Sequence, residues 1–271
     1  MIIFCFALTF RSIYDSMRRF IIFISVLILL LTDTFSFAQT DKNQPLPPAS
    51  ATEDWSTKPP LVTPAPYAKP PSDAVVLYNG KTDLSKWQHV DGEPVKWSAV
   101  NDELVIVPKT TDIETKQKFG SVQLHIEWKT PDPKEDKSNN RGNSGVFLMG
   151  LYELQIYESY HYETRIYYNG QAGSIYKQQI PLVNASLKPQ TWQTFDIVFN
   201  APVFNEDKTL KSPGYLTVFH NNVLILNHAE IKGPMVYQGY PKYEFHEAKL
   251  PLRLQEHNSR VSFRNIWLRE L

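Results

Sequence analysis

Val122-Gln123-Leu124-His125-Ile126-Glu127-Trp128 alternates apolar and polar side chains without a break. In an extended chain this puts Val122, Leu124, Ile126 and Trp128 on one face and Gln123, His125 and Glu127 on the other, a strand with one dry and one polar side. Phe195, Ile197 and Phe199 repeat the pattern against Thr194 and Asp196. Working outward, further strands are expected at Ala74–Tyr78, Trp97–Val100, Glu103–Val107, Gly145–Met149, Tyr152–Tyr157, Tyr215–His220, Val223–Asn227 and Val261–Leu268. Turn pairs punctuate them: Asn79-Gly80, Asn101-Asp102, Asn169-Gly170 and Asn221-Asn222, the last suited to a two-residue hairpin. No segment keeps a helical apolar stripe for three turns. The pattern predicts an all-β domain, a sandwich or jelly roll of two sheets. Such a fold buries one face of each sheet, so function is expected on an outer face.

The chain has 271 residues, 28 Lys+Arg and 28 Asp+Glu. Zero formal charge gives no footprint for nucleic acid, which favours basic surfaces. A single cysteine, Cys5, excludes a disulfide framework and a Cys-rich zinc site. Aromatic residues are abundant (Phe 15, Tyr 14, Trp 6), and Tyr and Trp combine a π-face with a polar handle that suits sugars.

Arg18 and Arg19 precede an apolar run from Phe20 to Leu31, and Ser36-Phe37-Ala38 follows. These are the parts of a secretory signal peptide over residues 1–38, cut after Ala38; Met17 opens a more conventional leader and can be the true start. The apolar run is short for a membrane span, so no stable span is expected once the signal is removed, and the protein is expected to be exported, periplasmic or extracellular. Residues 39–72 form a linker. Nine prolines and no glycine fall between Asp41 and Ser72, a composition that favours extended polyproline II. Residues 73–271 read as one domain.

The chemistry concentrates in Arg141-Gly142-Asn143-Ser144 and Tyr152-Glu153-Leu154-Gln155-Ile156-Tyr157-Glu158. Glu153, Gln155 and Tyr157 share one face of a regular strand. Glu158 is out of phase and joins them only through a bulge. Carboxylates at this spacing resemble the catalytic strand of laminarinase-like retaining glucanases, Glu-x-Asp-x-x-Glu, with Gln155 in place of the middle acid. The ordinary alternative is a solvated face bearing two surface acids.

The runs Asn143-Ser144-Gly145-Val146-Phe147, Tyr152-Glu153-Leu154-Gln155-Ile156, Gly173-Ser174-Ile175-Tyr176, Trp192-Gln193, Leu254-Gln255-Glu256-His257 and Phe263-Arg264-Asn265-Ile266 together resemble the 3-keto-disaccharide hydrolase domain family. The resemblance covers residues 73–271, from Leu77-Tyr78-Asn79-Gly80-Lys81 onward, and departs at Glu158, where Asp is the more usual acid. It implies a concanavalin A-like jelly-roll sandwich of two antiparallel sheets and cleavage of glycosides already oxidised to a ketone at C3.

A C3 ketone acidifies the C2 proton and puts the glycosidic oxygen at C1 β to the carbonyl. A base removes the proton, the enolate expels the C1 substituent, and water adds back. The reaction needs one base, one acid for the leaving oxygen and a donor for the enolate, with no glucanase nucleophile. Glu153 or Glu158 is assigned as base and His257 as acid. Arg141 and Arg264 are candidates for the enolate oxygen or sugar hydroxyls, and Asn143, Gln155, Tyr157 and Gln255 for binding hydroxyls. Arg264 can equally cross-link strands, and His257 can cap a hairpin. No cofactor is required, although Asp132, Glu135 and Asp136 in the loop 131–140 offer a hard cation such as calcium a place; a solvated charge cluster is the more ordinary reading. No zinc spacing occurs among the histidines, and His125 with Glu127 reads as a surface pair. The expected partners are a carbohydrate substrate and a sugar 3-dehydrogenase that supplies the ketone. Two competing functions remain on this reading: a non-catalytic carbohydrate-binding module and an ordinary endoglucanase, the latter disfavoured by Gln155.

Overall fold

The computed structural model describes residues 68–160 and 166–271, so the leader and most of the proline-rich linker lie outside the described residues. Eight antiparallel strands make the larger sheet: β1 (Val75–Tyr78), β3 (Ser98–Val100), β4 (Glu103–Val105), β6 (Val122–Lys129), β9 (Gln193–Asn200), β12 (Tyr215–His220), β13 (Val223–Glu230) and β15 (Ser262–Glu270). They run in the order β13-β12-β9-β6-β15-β4-β3, with β1 also paired to β15. The smaller sheet holds β2 (Trp87–His89), β5 (Ile113–Phe119), β14 (Leu250–Leu254), β7 (Ser144–Leu148) and β8 (Tyr152–Ile156), in the order β2-β5-β14-β7-β8. A short ribbon pairs β10 (Val203–Phe204) with β11 (Leu210–Ser212).

The two sheets pack into a sandwich of jelly-roll type. Leu124, Ile126, Trp128, Phe195, Ile197 and Phe199 of the larger sheet join Val146, Leu148, Tyr152, Leu154 and Ile156 of the smaller one in a single buried cluster. The period-two reading of β6, β8 and β9 therefore selects the side chains that meet in the core. The hairpin turn Asn221-Asn222 has both residues at positive φ (50° and 65°) and closes His220 onto Val223, the backbone that a type I′ turn demands.

The outer face of the larger sheet is not the polar surface that alternation suggests. His125 and Glu127 are both buried. His125 Nδ1 lies 2.6 Å from Asp196 Oδ1 and its ring stacks on Trp267 at 5.2 Å. Glu127 accepts from Arg264 Nε at 2.6 Å and from Asn265 Nδ2 at 2.8 Å. Asn265 and Trp267 also donate to the carbonyl of Ala68, so the chain leading into β1 crosses this face. Burial opposes ionisation of Glu127, but hydrogen bonds from His125, Asn265 and Arg264 outweigh it and hold its pKa at about 2. The expected surface pair is thus a buried ionic network.

Besides the short β10–β11 ribbon, three strands escaped the sequence reading: β2, β5 and β14, which are one edge and the middle of the smaller sheet. β14 contains Pro251, a residue that argues against an interior strand. It is tolerated because β7 pairs only with Arg253 and Leu254, so Pro251 lies beyond the end of that ladder. Its pairing with β5 shifts register between Pro251 and Arg253. Thr115 bridges the irregularity: its hydroxyl accepts from Leu252 N at 3.0 Å and donates to Gln117 O at 2.7 Å. Thr115→Val keeps the side-chain shape but leaves a buried N–H and a carbonyl unpaired. A loss of about 2–4 kcal/mol is expected, measured as a lower urea midpoint with unchanged m-value.

Candidate active site

Antiparallel pairing lines up one row of side chains across the outer face of the smaller sheet. Gln88 of β2 opposes Glu114 of β5, Glu114 opposes Arg253 of β14, Arg253 opposes Phe147 of β7, and Phe147 opposes Glu153 of β8. Directly opposite residues share a face. One pleat along, Gly145 opposes Gln155, and Gln255 N bonds Gly145 O at 3.0 Å. Leu154 and Ile156 point the other way into the core. Gly145 makes the arrangement possible: a Cβ there would sit 2.6 Å from Glu153 Oε1 and 2.8 Å from the Phe147 ring.

The edge of β8 is covered by the segment Gly173–Tyr176. Gln155 N donates to Ser174 O, Gly173 N to Gln155 O and Tyr176 N to Glu153 O, at 2.9–3.2 Å. This brings Tyr176 beside Glu153. Asn143, Glu153, Gln155, Tyr176, Gln255 and His257 then line one cavity of about 190 Å³, closed by Met235 and Tyr237.

The turn that carries His257 is anchored at each step. Ser144 Oγ donates to Gln255 O at 2.7 Å, and Glu256 N donates to Asp112 Oδ1 at 2.8 Å. Asn140 Nδ2 lies 2.9 Å from His257 Nδ1 and donates to His257 O at 3.0 Å. Asn143 Nδ2 approaches the same ring nitrogen at 3.4 Å. Two amide donors converging on Nδ1 make it the acceptor, which puts the proton of the neutral imidazole on Nε2. Ser259 completes the clasp, its hydroxyl accepting from Gly142 N at 2.7 Å and donating to Asp136 at 2.9 Å.

Glu153 is the electrostatic centre. It is only 3% exposed and has no ion pair among the described residues. Burial, with a smaller push from the Asp112 carboxylate, raises its pKa from 4.5 to about 8. Asp112 is itself raised, chiefly by burial, although the Glu256 amide and Arg253 act in the opposite sense. Gln155 Oε1 is buried without a hydrogen-bond partner among the described residues. The cavity thus offers a carboxyl poised near neutrality, an unsatisfied acceptor and an imidazole donor, parts suited to proton transfer on a hydroxylated ring.

Of the expected residues, Glu153, Gln155, Asn143, Gln255 and His257 come together; four others do not. Glu158 accepts from Thr130 Oγ1 at 2.8 Å and from Tyr160 N at 3.1 Å. Both of its oxygens are engaged outside the cavity, so the bulge that would re-aim it is not formed. The Tyr157 hydroxyl donates to Asn139 O. Arg141 is buried and donates to Asp136 O at 3.2 Å. Arg264 cross-links β15 to β6 through Glu127 on the other sheet, its guanidinium 4.1 Å over Trp192. Two acids of the loop 131–140 hold local turns, Asp132 accepting from Lys134 N and Asp136 from Ser138 N, and Asp136 also ties the loop to Ser259. Among the described residues no three metal-ligating side chains cluster.

The sequence reading missed Asp112, Arg253, Tyr176 as a wall and Tyr237. Asp112 immediately precedes an unrecognised strand. Tyr176 stands in one of the motif runs quoted above, and the Tyr, Pro and Gly density of Pro234–Tyr243 was the available signal for Tyr237.

Residues 73–269 match the 3-keto-alpha-glucoside-1,2-lyase-like domain model. The chain belongs to this family. A crystal structure from Parabacteroides distasonis ATCC 8503, provisionally named a glycosyl hydrolase, is 42% identical over 83% of this chain and 97% of its own, with a TM-score of 0.76. A second from the same organism, also provisionally named a glycosyl hydrolase, shares 20% identity over 73% of this chain and 94% of its own at a TM-score of 0.54, a likeness of fold. No functionally curated protein matches the sequence. Family and neighbours together support an enzyme that acts on glycosides. Among the described residues no helix is long and apolar enough to cross a membrane.

The raised pKa of Glu153 has a consequence for stability. Between the unfolded value and about 8 the folded state holds a proton that the unfolded state has released, so this carboxyl makes the fold less stable as pH rises through that window. The loss is about 1.4 kcal/mol per pH unit. Glu153→Gln removes it. The melting temperature of the variant relative to the parent is expected to climb between about pH 5 and pH 8, at about 2–4 °C per kcal/mol. Thermal unfolding across that range checks this; a constant difference would mean a solvated, ordinary carboxylate.

Proposed function

We propose that this protein is an exported enzyme that cleaves 3-keto-glycosides, including 3-keto-disaccharides, by elimination and hydration. The observation that carries the reading is the buried carboxyl of Glu153, poised near pH 8, in a cavity whose other polar side chains are three amides, an imidazole and two tyrosines. A retaining glycosidase needs two carboxyl groups about 5 Å apart. Gln155 replaces the middle acid of the glucanase pattern and Glu158 is bound elsewhere, which disfavours that chemistry.

On this reading Glu153 in its ionised form takes the C2 proton. The C2–H electron pair moves into the C1–C2 bond, the C1–O bond breaks, and its electrons leave with the glycosidic oxygen. His257 Nε2–H donates to that oxygen. Water then adds across the double bond, its hydroxyl to C1 and its proton to C2, and releases the free 3-keto sugar. Gln155 and Gln255 hold hydroxyls, and Asn140 with Asn143 keeps the imidazole in the donating tautomer. Asp112 orients the His257 turn and adds to the field that raises Glu153. The ketone must come from a separate sugar 3-dehydrogenase acting upstream.

Incubation with 3-keto-trehalose in deuterium oxide tests the scheme. Deuterium at C2 and cleavage are expected with the keto sugar and neither with trehalose. Glu153→Gln should lose about 10²–10⁴ of kcat/KM, the range for a general base, while Glu158→Gln keeps turnover within a few-fold. Asp112→Asn should move the rising limb of the pH–rate profile to lower pH, because it removes a negative charge beside Glu153. Full turnover by Glu153→Gln would end the assignment.

A further inference from the structure

Proton loss from C2 builds negative charge on the C3 oxygen. The C–H electron pair delocalises onto the ketone as Glu153 takes the proton, and it returns to form the C1–C2 double bond as the C1–O bond breaks. An oxyanion that develops away from water needs a preorganised donor. The two arginines expected to serve do not reach the cavity, since Arg141 donates to Asp136 O and Arg264 to Glu127 on the other sheet.

The side chains that line the cavity differ in what they already hold. Asn143 Nδ2 donates to Asn140 Oδ1 at 2.6 Å and approaches His257 Nδ1 at 3.4 Å. The hydroxyl of Tyr176 is paired with that of Tyr167. Tyr237 is 69% exposed and Gln255 is half-buried, so water competes at both. Gln155 is only 2% exposed, its Oε1 is buried, and neither end of its amide has a partner among the described residues. Its backbone, by contrast, is fixed on both sides. The N–H donates to Ser174 O at 3.0 Å, the carbonyl accepts from Gly173 N at 2.9 Å, and the residue lies opposite Gly145 of β7. Only the side chain is left for a ligand.

Position favours the same residue. Glu153 and Gln155 are alternate residues of β8 and share its outer face, about 6.6 Å apart along the strand. The C3 oxygen is two bonds from C2. A carboxyl at C2 and an amide at that oxygen, each about 3 Å away, fit this spacing. A ketone and the hydroxyl on the next carbon present an acceptor beside a donor, the complement of a carboxamide.

We propose that Gln155 is a catalytic residue, its Nε2 donating to the C3 oxygen as the enolate forms and its Oε1 accepting from the hydroxyl on C4. The assignment rests on the function proposed above. It also gives a reason for an amide where the glucanase pattern has an acid: a carboxylate here would repel the enolate, whereas the amide supplies a hydrogen to it.

Gln155→Met removes both polar ends at nearly constant length. With 3-keto-trehalose its kcat is expected to fall about 10²–10³-fold, the range for one oxyanion donor. Its melting temperature should be equal or higher, because no bond within the protein is lost. Gln155→Glu, which keeps the acceptor and loses the donor, should lose as much in kcat. A 3-keto sugar with hydrogen in place of the C1 substituent isolates the first step. Deuterium entry at its C2 from deuterium oxide should slow by the same factor in both variants. Removing the C4 hydroxyl from the oxidised ring should raise KM for the unmodified protein and leave it unchanged for Gln155→Met. Unchanged kcat and deuterium entry in the variants, a lower melting temperature for Gln155→Met, or indifference of the unmodified protein to the C4 hydroxyl would each overturn the assignment. Neither cleavage nor C2 deuterium with the unmodified protein would instead overturn the keto-glycoside reading beneath it, so the two failures are distinguishable.

Discussion

The site depends on one constraint: the carboxyl of Glu153 is held out of water without a counter-ion among the described residues. Transfer of a carboxylate from water is costly unless it is paired, and an unpaired group responds by keeping its proton. Gly145 supplies the room on the facing strand, Phe147 flanks the side chain, and the Gly173–Tyr176 segment shields the open edge of β8. Each follows from strand pairing. β7 and β8 are fixed in register by Val146 and Leu154, which are buried on the opposite face, so a one-residue slip would put Glu153 into the core. The apolar half of the sandwich thereby fixes the polar half.

The two outer faces show why burial alone does not mark a catalytic acid. Glu127 and Glu153 are both buried on strands of the same fold. Glu127 accepts hydrogen bonds from Arg264 and Asn265, and its pKa is about 2; Glu153 has no such partners among the described residues and its pKa is about 8. The first group is locked in one charge state across the physiological range. The second can change state near neutrality, which proton transfer requires. A paired acid of the first kind knits strands together, whereas an unpaired acid of the second kind weakens the fold, a cost typical of residues retained for chemistry.

Strand alternation made the larger sheet legible almost whole, because β6, β9, β12 and β15 each carry a dry face of branched and aromatic side chains. The smaller sheet was legible only at β7 and β8. β5 reads Ile-Glu-Thr-Lys-Gln-Lys-Phe, whose middle is charged, and β14 carries a proline. The same gap hid part of the site. Arg253 and Asp112 belong to strands, or strand ends, that local sequence does not announce, and the influence of Asp112 on Glu153 is a product of long-range pairing. Conversely, Tyr157 and Arg264 fit the alternation but not the site, since period two assigns a face and not a sheet. Glu158 needed a bulge, and the hydroxyl of Thr130 and the amide of Tyr160 take its carboxylate instead.

The anchoring of His257 supplies the remaining step from fold to chemistry. An exposed histidine on a free turn would sample many orientations, and ordering it during reaction would add to the barrier. Here three side chains bond the turn through its backbone, Ser144 at residue 255, Asp112 at 256 and Asn140 at 257, and the hydroxyl of Ser259 ties it to the Gly142 amide. Asn140 and Asn143 then fix which ring nitrogen faces the cavity. Two of these anchors, Ser144 and Asn143, belong to the short run that leads into β7, the strand that also makes room for Glu153. One segment therefore helps to position both Glu153 and His257: Gly145 leaves room for the carboxyl, and Asn143 and Ser144 bond the turn that carries the imidazole.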